Sequence, residues 1–233
     1  MTTMKLEKEG DVHILRLQNP ETGNAFTLDV IDEYHKAMDE IENSEGNTSL
    51  IITSDDPKSW CNGINLDWLN QKDDAFWEKF LGHLEDMVFR LATLPVPTMG
   101  CITGHVFAGG AIMAAGLDFR TMRSDRGWFC FPEVDIKIPF GNRLTYIIDL
   151  YPNRAALWEL ALSGRRVGGE EAKRRELVND AFPQEELWEK SFAMAKMLAA
   201  KDRKTYADIK KRLKRNLINE WKLPRSYTYS LES

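Results

Sequence analysis

Residues 104–118 read GHVFAGGAIMAAGLD, and they constrain the fold more than any other stretch of this chain. A polar turn runs into paired glycines, then into small and apolar residues without a proline. A helix that is apolar all round must be buried, so a central helix is expected over 109–115, entered through a loop. Glycines at a helix start admit close approach to the backbone. They also leave unpaired N–H groups at the positive end of the helix dipole, which suits an oxyanion. Tight packing would select the same Gly109 and Gly110, and on this segment alone packing is the simpler account.

The flanking pattern alternates strand and helix. Residues 5–17 read as a hairpin turning at Glu9-Gly10-Asp11. Thr27 is placed to cap a helix over 28–42, with Ile31, Tyr34, Met38 and Ile41 at helical spacing. SLIIT at 49–53 is a short buried strand, and 54–65, rich in Asp, Asn, Pro and Gly, is a loop. Phe76, Phe80, Leu84, Met87, Val88 and Leu91 form a helical stripe that stops at Leu94-Pro95-Val96-Pro97. Strands are expected at 98–103 and around 119–123, an extended aromatic segment at 128–138, and helices from 142 to about 216. The sum is one α/β domain with a helical C-terminal extension. Its core is set at 1–198, and 199–233 at an amphipathic basic helix and tail.

Charge and cysteine usage narrow the classes. The formal net charge of −5 counts against a nucleic-acid protein. No apolar run is long enough to cross a membrane. MTTMKLEKEGD at the start has no signal core, and SYTYSLES at the end carries no retention or peroxisomal tripeptide. Cys61, Cys101 and Cys130 are few and far apart, so a reducing cytoplasm is the expected compartment. Residues 201–215 hold eight basic and two acidic side chains. There Tyr206, Ile209, Leu213 and Leu217 share one helical face. The plain reading is a solvated basic side; the sharper one is a positive face for a phosphate-bearing ligand.

Several chemistries have no support. There is no G-x-S-x-G elbow, P-loop or G-x-G-x-x-G, and the four histidines have no metal-ligand spacing. His105 reads as a turn residue with a backbone partner rather than a catalyst. Three pieces remain. WCNGINL at 60–66 turns a strand end into a short helix, with the Ile64 N–H free to face a ligand. The glycine turn at 104–110 is the second. FCFPEVDIKIP at 129–139 sets Glu133 among aromatic and aliphatic neighbours, where burial would raise its pKa into the range of a general base. Taken alone, Glu133 is better read as a turn carboxylate paired with Arg or Lys.

In this order and spacing, the three pieces resemble the enoyl-CoA hydratase/isomerase family, also called the crotonase family. The resemblance runs over about 4–198. It includes NPETGNAFT, where the family has Asn-x-Pro followed by Asn-Ala. WCNGINL is similar to A-G-x-D-[LI], GHVFAGGAI to G-x-A-x-G-G-G-x-E, and FPEVDIKIP to the P-E-x-x-x-G-x-x-P tract. The implied fold is a crotonase-like spiral of repeated β-β-α units. The N–H groups of Ile64 and Gly109 would form an oxyanion hole for a thioester carbonyl, and Glu133 would be the acid/base. Ala25, Gly63, Asn65, Leu66, Gly110 and Ile112 would bind substrate. No metal and no separate cofactor is implied, since CoA is part of the substrate. The implied assembly is a homotrimer or a dimer of trimers.

Departures from the family pattern sharpen this. Family hydratases carry a glutamate where this chain has Ile112, Asn65 replaces an aspartate, Ala108 replaces a glycine, and Lys137 replaces another. Adding water is best served by two carboxylates, whereas moving a double bond from C3 to C2 needs one. The expected activity is therefore Δ3,Δ2-enoyl-CoA isomerisation. Other crotonase-type reactions (hydration, hydrolysis, decarboxylation) and a non-catalytic acyl-CoA or RNA binder stay as alternatives.

Overall fold

Strand β1 (Met4–Glu9) turns at Gly10 into β2 (Val12–Leu17), and the two pair antiparallel from Met4↔Leu17 to Glu9↔Val12. This computed structural model describes residues 2–225. Thr27 caps α1 (Leu28–Asn43) by accepting from the Val30 amide, and Ile31, Tyr34, Met38 and Ile41 form its buried stripe.

From here the chain repeats one unit. β3 (Ser49–Ser54) and β4 (Ser59–Cys61) lead to α2 (Leu66–Leu69) and α3 (Asp74–Thr93). β5 (Thr98–Ile102) and β6 (His105–Phe107) lead to α4 (Gly109–Gly116). β7 (Phe119–Arg123) and β8 (Phe129–Cys130) lead to α5 (Glu133–Ile136). Helices α6 (Asn142–Ile148), α7 (Arg154–Ser163) and α8 (Gly169–Arg174) follow. The described chain ends with β9 (Asp180–Phe182), α9 (Gln184–Ala199), α10 (Arg203–Leu213) and α11 (Arg215–Trp221).

In each β-β-α unit the first strand joins a large sheet and the second a small one. The large sheet has the order β1-β2-β3-β5-β7-β9 and is parallel apart from the first hairpin. The small sheet has the order β4-β6-β8 and is wholly parallel. This is the crotonase-like spiral with its helical extension. Alternation along the strands divides the large sheet's faces. Val12, Ile14, Ile51, Met99 and Cys101 pack with Leu187, Ala195 and Ala199 of α9. Leu15, Leu17, Leu50 and Ile52 face the main core, shared with α1, α3, α4 and the small sheet.

Four local expectations change. β4 and β6 lie in stretches read as a loop and a turn. In 128–138 only β8 is a strand, and α5 forms a helical turn. Strands of two or three residues carry too few side chains for alternation to show. β9 interrupts a region read as helical throughout. In α10, Ile209 and Leu213 are 54% and 76% exposed, while Lys210 and Lys214 are buried. The two ammonium groups lie 2.8 and 2.9 Å from the Asp118 carboxylate, which also accepts from the Tyr206 hydroxyl at 3.1 Å. Positions 206, 210 and 214 share a helical face, and a nearly buried carboxylate needs that pairing more than the stripe needs burial. The tail at 226–233 lies outside the described residues. No helix among the described residues is long and apolar enough to cross a membrane.

Candidate active site

The small sheet collects the three motifs. Its strands are parallel, with β6 in the centre, and each releases one candidate residue just past its C-terminal end. Ile64 follows β4, Gly109 follows β6 and Glu133 follows β8. The register is held by His105 N–H to Lys58 O at 2.8 Å, Val106 N–H to Trp128 O at 2.9 Å and Ala108 N–H to Cys130 O at 3.1 Å. Neighbouring strands lie about 4.8 Å apart, so Gly109 stands between the exits that lead to Ile64 and Glu133. The C-terminal edge of parallel strands is where open α/β sheets bind ligands.

The orientation of the Ile64 amide follows from its neighbours. Phe26 donates to Gly63 O at 2.7 Å and accepts from Asn65 N–H at 3.0 Å, forming a parallel bridge to Ile64. In such a bridge the central residue's own N–H points away from the partner strand. Gly63 adopts φ 80°, and a β-carbon on it would lie 2.6 Å from the Gly109 amide nitrogen. The two loops are therefore in contact. Neither the Ile64 nor the Gly109 N–H donates a backbone hydrogen bond to another described residue. Two amides of this kind, close together and unspent, can hold an oxyanion.

Helix α4 is fixed at both ends. All eight of its residues are buried. Gly109 opens it after Ala108, whose φ of 49° and ψ of −123° are a strained backbone for a residue with a β-carbon. At the other end, Arg120 donates to Ala114 O at 3.0 Å and Leu117 O at 2.6 Å, and Lys214 donates to Gly116 O at 2.8 Å. Cations on the last carbonyls complement the dipole whose positive end is Gly109.

Glu133 is 7% exposed, and its Oε2 has no hydrogen-bond partner among the described residues. Burial pushes its carboxyl up to about 7, against a smaller downward pull from its own backbone amide. It lines a cavity of about 530 Å³ with Val134, Phe140, Ile148, Leu157, Trp158 and Leu162. A second cleft, of about 620 Å³, is lined by Ala25, Ile64, Asn65 and Leu66 with Lys58, Asn62 and Trp68. Glu133 thus lies on a cavity with mainly apolar walls, and Ile64 on a more polar cleft with no lining residue in common with it.

The sequence matches the family model described as enoyl-CoA hydratase/isomerase over residues 7–228. The chain belongs to the enoyl-CoA hydratase/isomerase family. It is 29% identical to enoyl-CoA delta isomerase 3 of Arabidopsis thaliana, over 89% of this chain and 90% of that protein. It is also 29% identical to the short-chain-enoyl-CoA hydratase of Clostridium acetobutylicum, over 78% of this chain and 69% of that protein. Among solved structures, the enoyl-CoA hydratase from Bacillus anthracis superimposes with a TM-score of 0.84 at 19% identity, covering 94% of this chain and 89% of that one.

Several hydratase/isomerase motif positions have capping or packing roles in the structure. Asn65 caps α2 by accepting from the Trp68 amide at 3.0 Å, a role the aspartate of the family pattern could equally fill. Gly110 packs so tightly on β4 that a β-carbon would overlap the Cys61 carbonyl oxygen. Ile112 is 3% exposed and belongs to the main core. His105 accepts from the Trp128 amide at 3.2 Å. Asn24, the Asn of the Asn-Ala pair in NPETGNAFT, is a positioning residue to which motif reading gave no role. At φ 57°, it donates to Ser54 Oγ at 2.8 Å and to the Ser59 and Trp60 carbonyls at 3.2 and 3.1 Å. It thereby ties the loop carrying Ala25 and Phe26 to β4. The signal for it was an Asn after a Gly, a pair suited to left-handed backbone.

Proposed function

We propose that this family member is a Δ3,Δ2-enoyl-CoA isomerase. The observation that carries the reading is Glu133, buried with an oxygen that has no partner among the described residues and issuing from the strand beside Gly109. One helical turn past Gly109, where a second carboxylate would serve hydration, Ile112 is packed into the core. The relative in Arabidopsis named as a delta isomerase supports the same reading.

The thioester carbonyl oxygen accepts from the Ile64 and Gly109 N–H groups. The Glu133 carboxylate removes a proton from C2 of the 3-enoyl group. The electron pair delocalises into the thioester carbonyl, giving an enolate conjugated with the C3–C4 double bond, that is, a dienolate. Glu133, now protonated, returns that proton to C4 as the double bond settles between C2 and C3. Proton and electrons balance with no metal or added cofactor. The acyl chain occupies the cavity beside Glu133, and the CoA part follows the polar cleft.

A homotrimer or dimer of trimers is part of the same proposal. Exposed Ile209 and Leu213, at 54% and 76%, give an apolar surface that a second copy could cover. A cytoplasmic setting is supported by three buried free thiols.

The deciding assay offers 3-enoyl-, 2-enoyl- and saturated acyl-CoA side by side. Conversion of the first to trans-2-enoyl-CoA, with little hydration or hydrolysis of the others, is expected. Hydration of 2-enoyl-CoA outpacing isomerisation would overturn the assignment.

A further inference from the structure

Lys137 is the side chain on the cavity wall that the isomerase chemistry does not use. It ends α5 at φ 59° and ψ 33°, and its N–H donates to the Glu133 carbonyl. That is the left-handed turn at which helices usually carry glycine, because a β-carbon is disfavoured there. The family pattern has glycine at this position, so the lysine is held against a backbone preference. Strain kept at the edge of a site points toward function.

Four charged side chains line this cavity: Glu133, Lys137, Asp149 and Arg154. Arg154 lies 3.3 Å from Asp149, so that pair neutralises itself. Lys137 makes no ion pair or side-chain hydrogen bond with any described residue. Lys137 therefore supplies the cavity's one cation without a counter-charge among the described residues, four positions along the chain from Glu133. A purely hydrocarbon acyl tail would offer this charge no partner. A tail ending in a carboxylate would meet it.

We infer that Lys137 selects acyl-CoA substrates whose acyl chain ends in a carboxylate, that is, mono-CoA thioesters of dicarboxylic acids. This rests on the reading of the cavity as the acyl site, but not on the isomerisation step. The exposed ammonium pairs with the terminal carboxylate, while the apolar methylenes of the tail lie along the aliphatic and aromatic side chains of the cavity.

The test is equilibrium binding of non-reactive saturated thioesters to the full chain by calorimetry at low salt. Octanedioyl-CoA is compared with octanoyl-CoA, in wild type and in Lys137→Gly and Lys137→Asn. Both replacements tolerate left-handed backbone, so both should fold. Wild type should bind the dioic thioester roughly fivefold or more tightly, and the preference should vanish in both variants. Equal affinity in wild type, or a preference that survives in the variants, overturns the inference while leaving the isomerase reading intact. Failure of both thioesters to bind would remove the acyl-CoA site itself, and this inference with it.

Discussion

Gly63 and Gly109 meet so closely that a β-carbon on Gly63 would lie 2.6 Å from the Gly109 amide nitrogen. The contact joins the loop after β4 to the start of α4. Gly63→Ala should therefore block the amide pair and strain a residue held at φ 80°. We expect kcat to fall about 100- to 1000-fold, the effect of losing an oxyanion donor. Steady-state kinetics with circular dichroism would check it. Near-normal turnover in a folded variant would detach this contact from catalysis.

Glu133→Gln should separate activity from stability. Isomerisation should be abolished while acyl-CoA binding is nearly kept. The carboxyl is raised from 4.5 to about 7 by burial. The folded state therefore holds its proton where the unfolded state has released it, and ionising it in place costs roughly 3 kcal/mol. That penalty is absent below 4.5, grows between 4.5 and 7, and is complete above 7. The Gln variant should thus gain Tm relative to wild type at pH 8 and gain little at pH 4.5. Thermal melts at the two pH values would show it.

The same titration should appear in the kinetics. A base with its carboxyl at about 7 is active only when ionised, so kcat/KM should rise with pH and level off above 7. A profile flat from pH 5 to 8 would mean that another group takes the C2 proton.

Asp118 gathers the C-terminal helices onto the core. Two buried ammonium groups and Thr98 hold it, and Lys210 and Lys214 keep its carboxyl at about 2 despite burial. Asp118→Asn leaves Lys210 and Lys214 without their counter-charge and should cost about 3–5 kcal/mol of stability. The depressed carboxyl stabilises the fold above its ordinary 3.8, and that contribution should fade as pH falls toward 2. Urea midpoints of the two proteins at pH 7 would measure the first effect, and acid titration of the wild type the second. Loss of the pair should also loosen α4, since Lys214 donates to the Gly116 carbonyl at its end.

Much of the architecture was legible along the chain. The first hairpin, the Thr27 cap, the stripe of α3 and the burial of α4 each follow from short-range spacing, which local backbone geometry enforces. The order of WCNGINL, GHVFAGGAI and FPEVDI carried the family and the candidate residues Ile64, Gly109 and Glu133. What the residues could not show was how these three meet. They meet through a small sheet whose strands are two or three residues long, too short for alternation and held by hydrogen bonds between distant segments. The direction of the Ile64 amide needs Phe26, and the height of the Glu133 carboxyl needs the walls that exclude water from it. In α10 the local pattern pointed Ile209 and Leu213 inward, but Asp118, far away in sequence, drew Lys210 and Lys214 in their place. Spacing fixes which faces are apolar. Tertiary contact decides which polar groups are buried, because only there do desolvation and pairing compete.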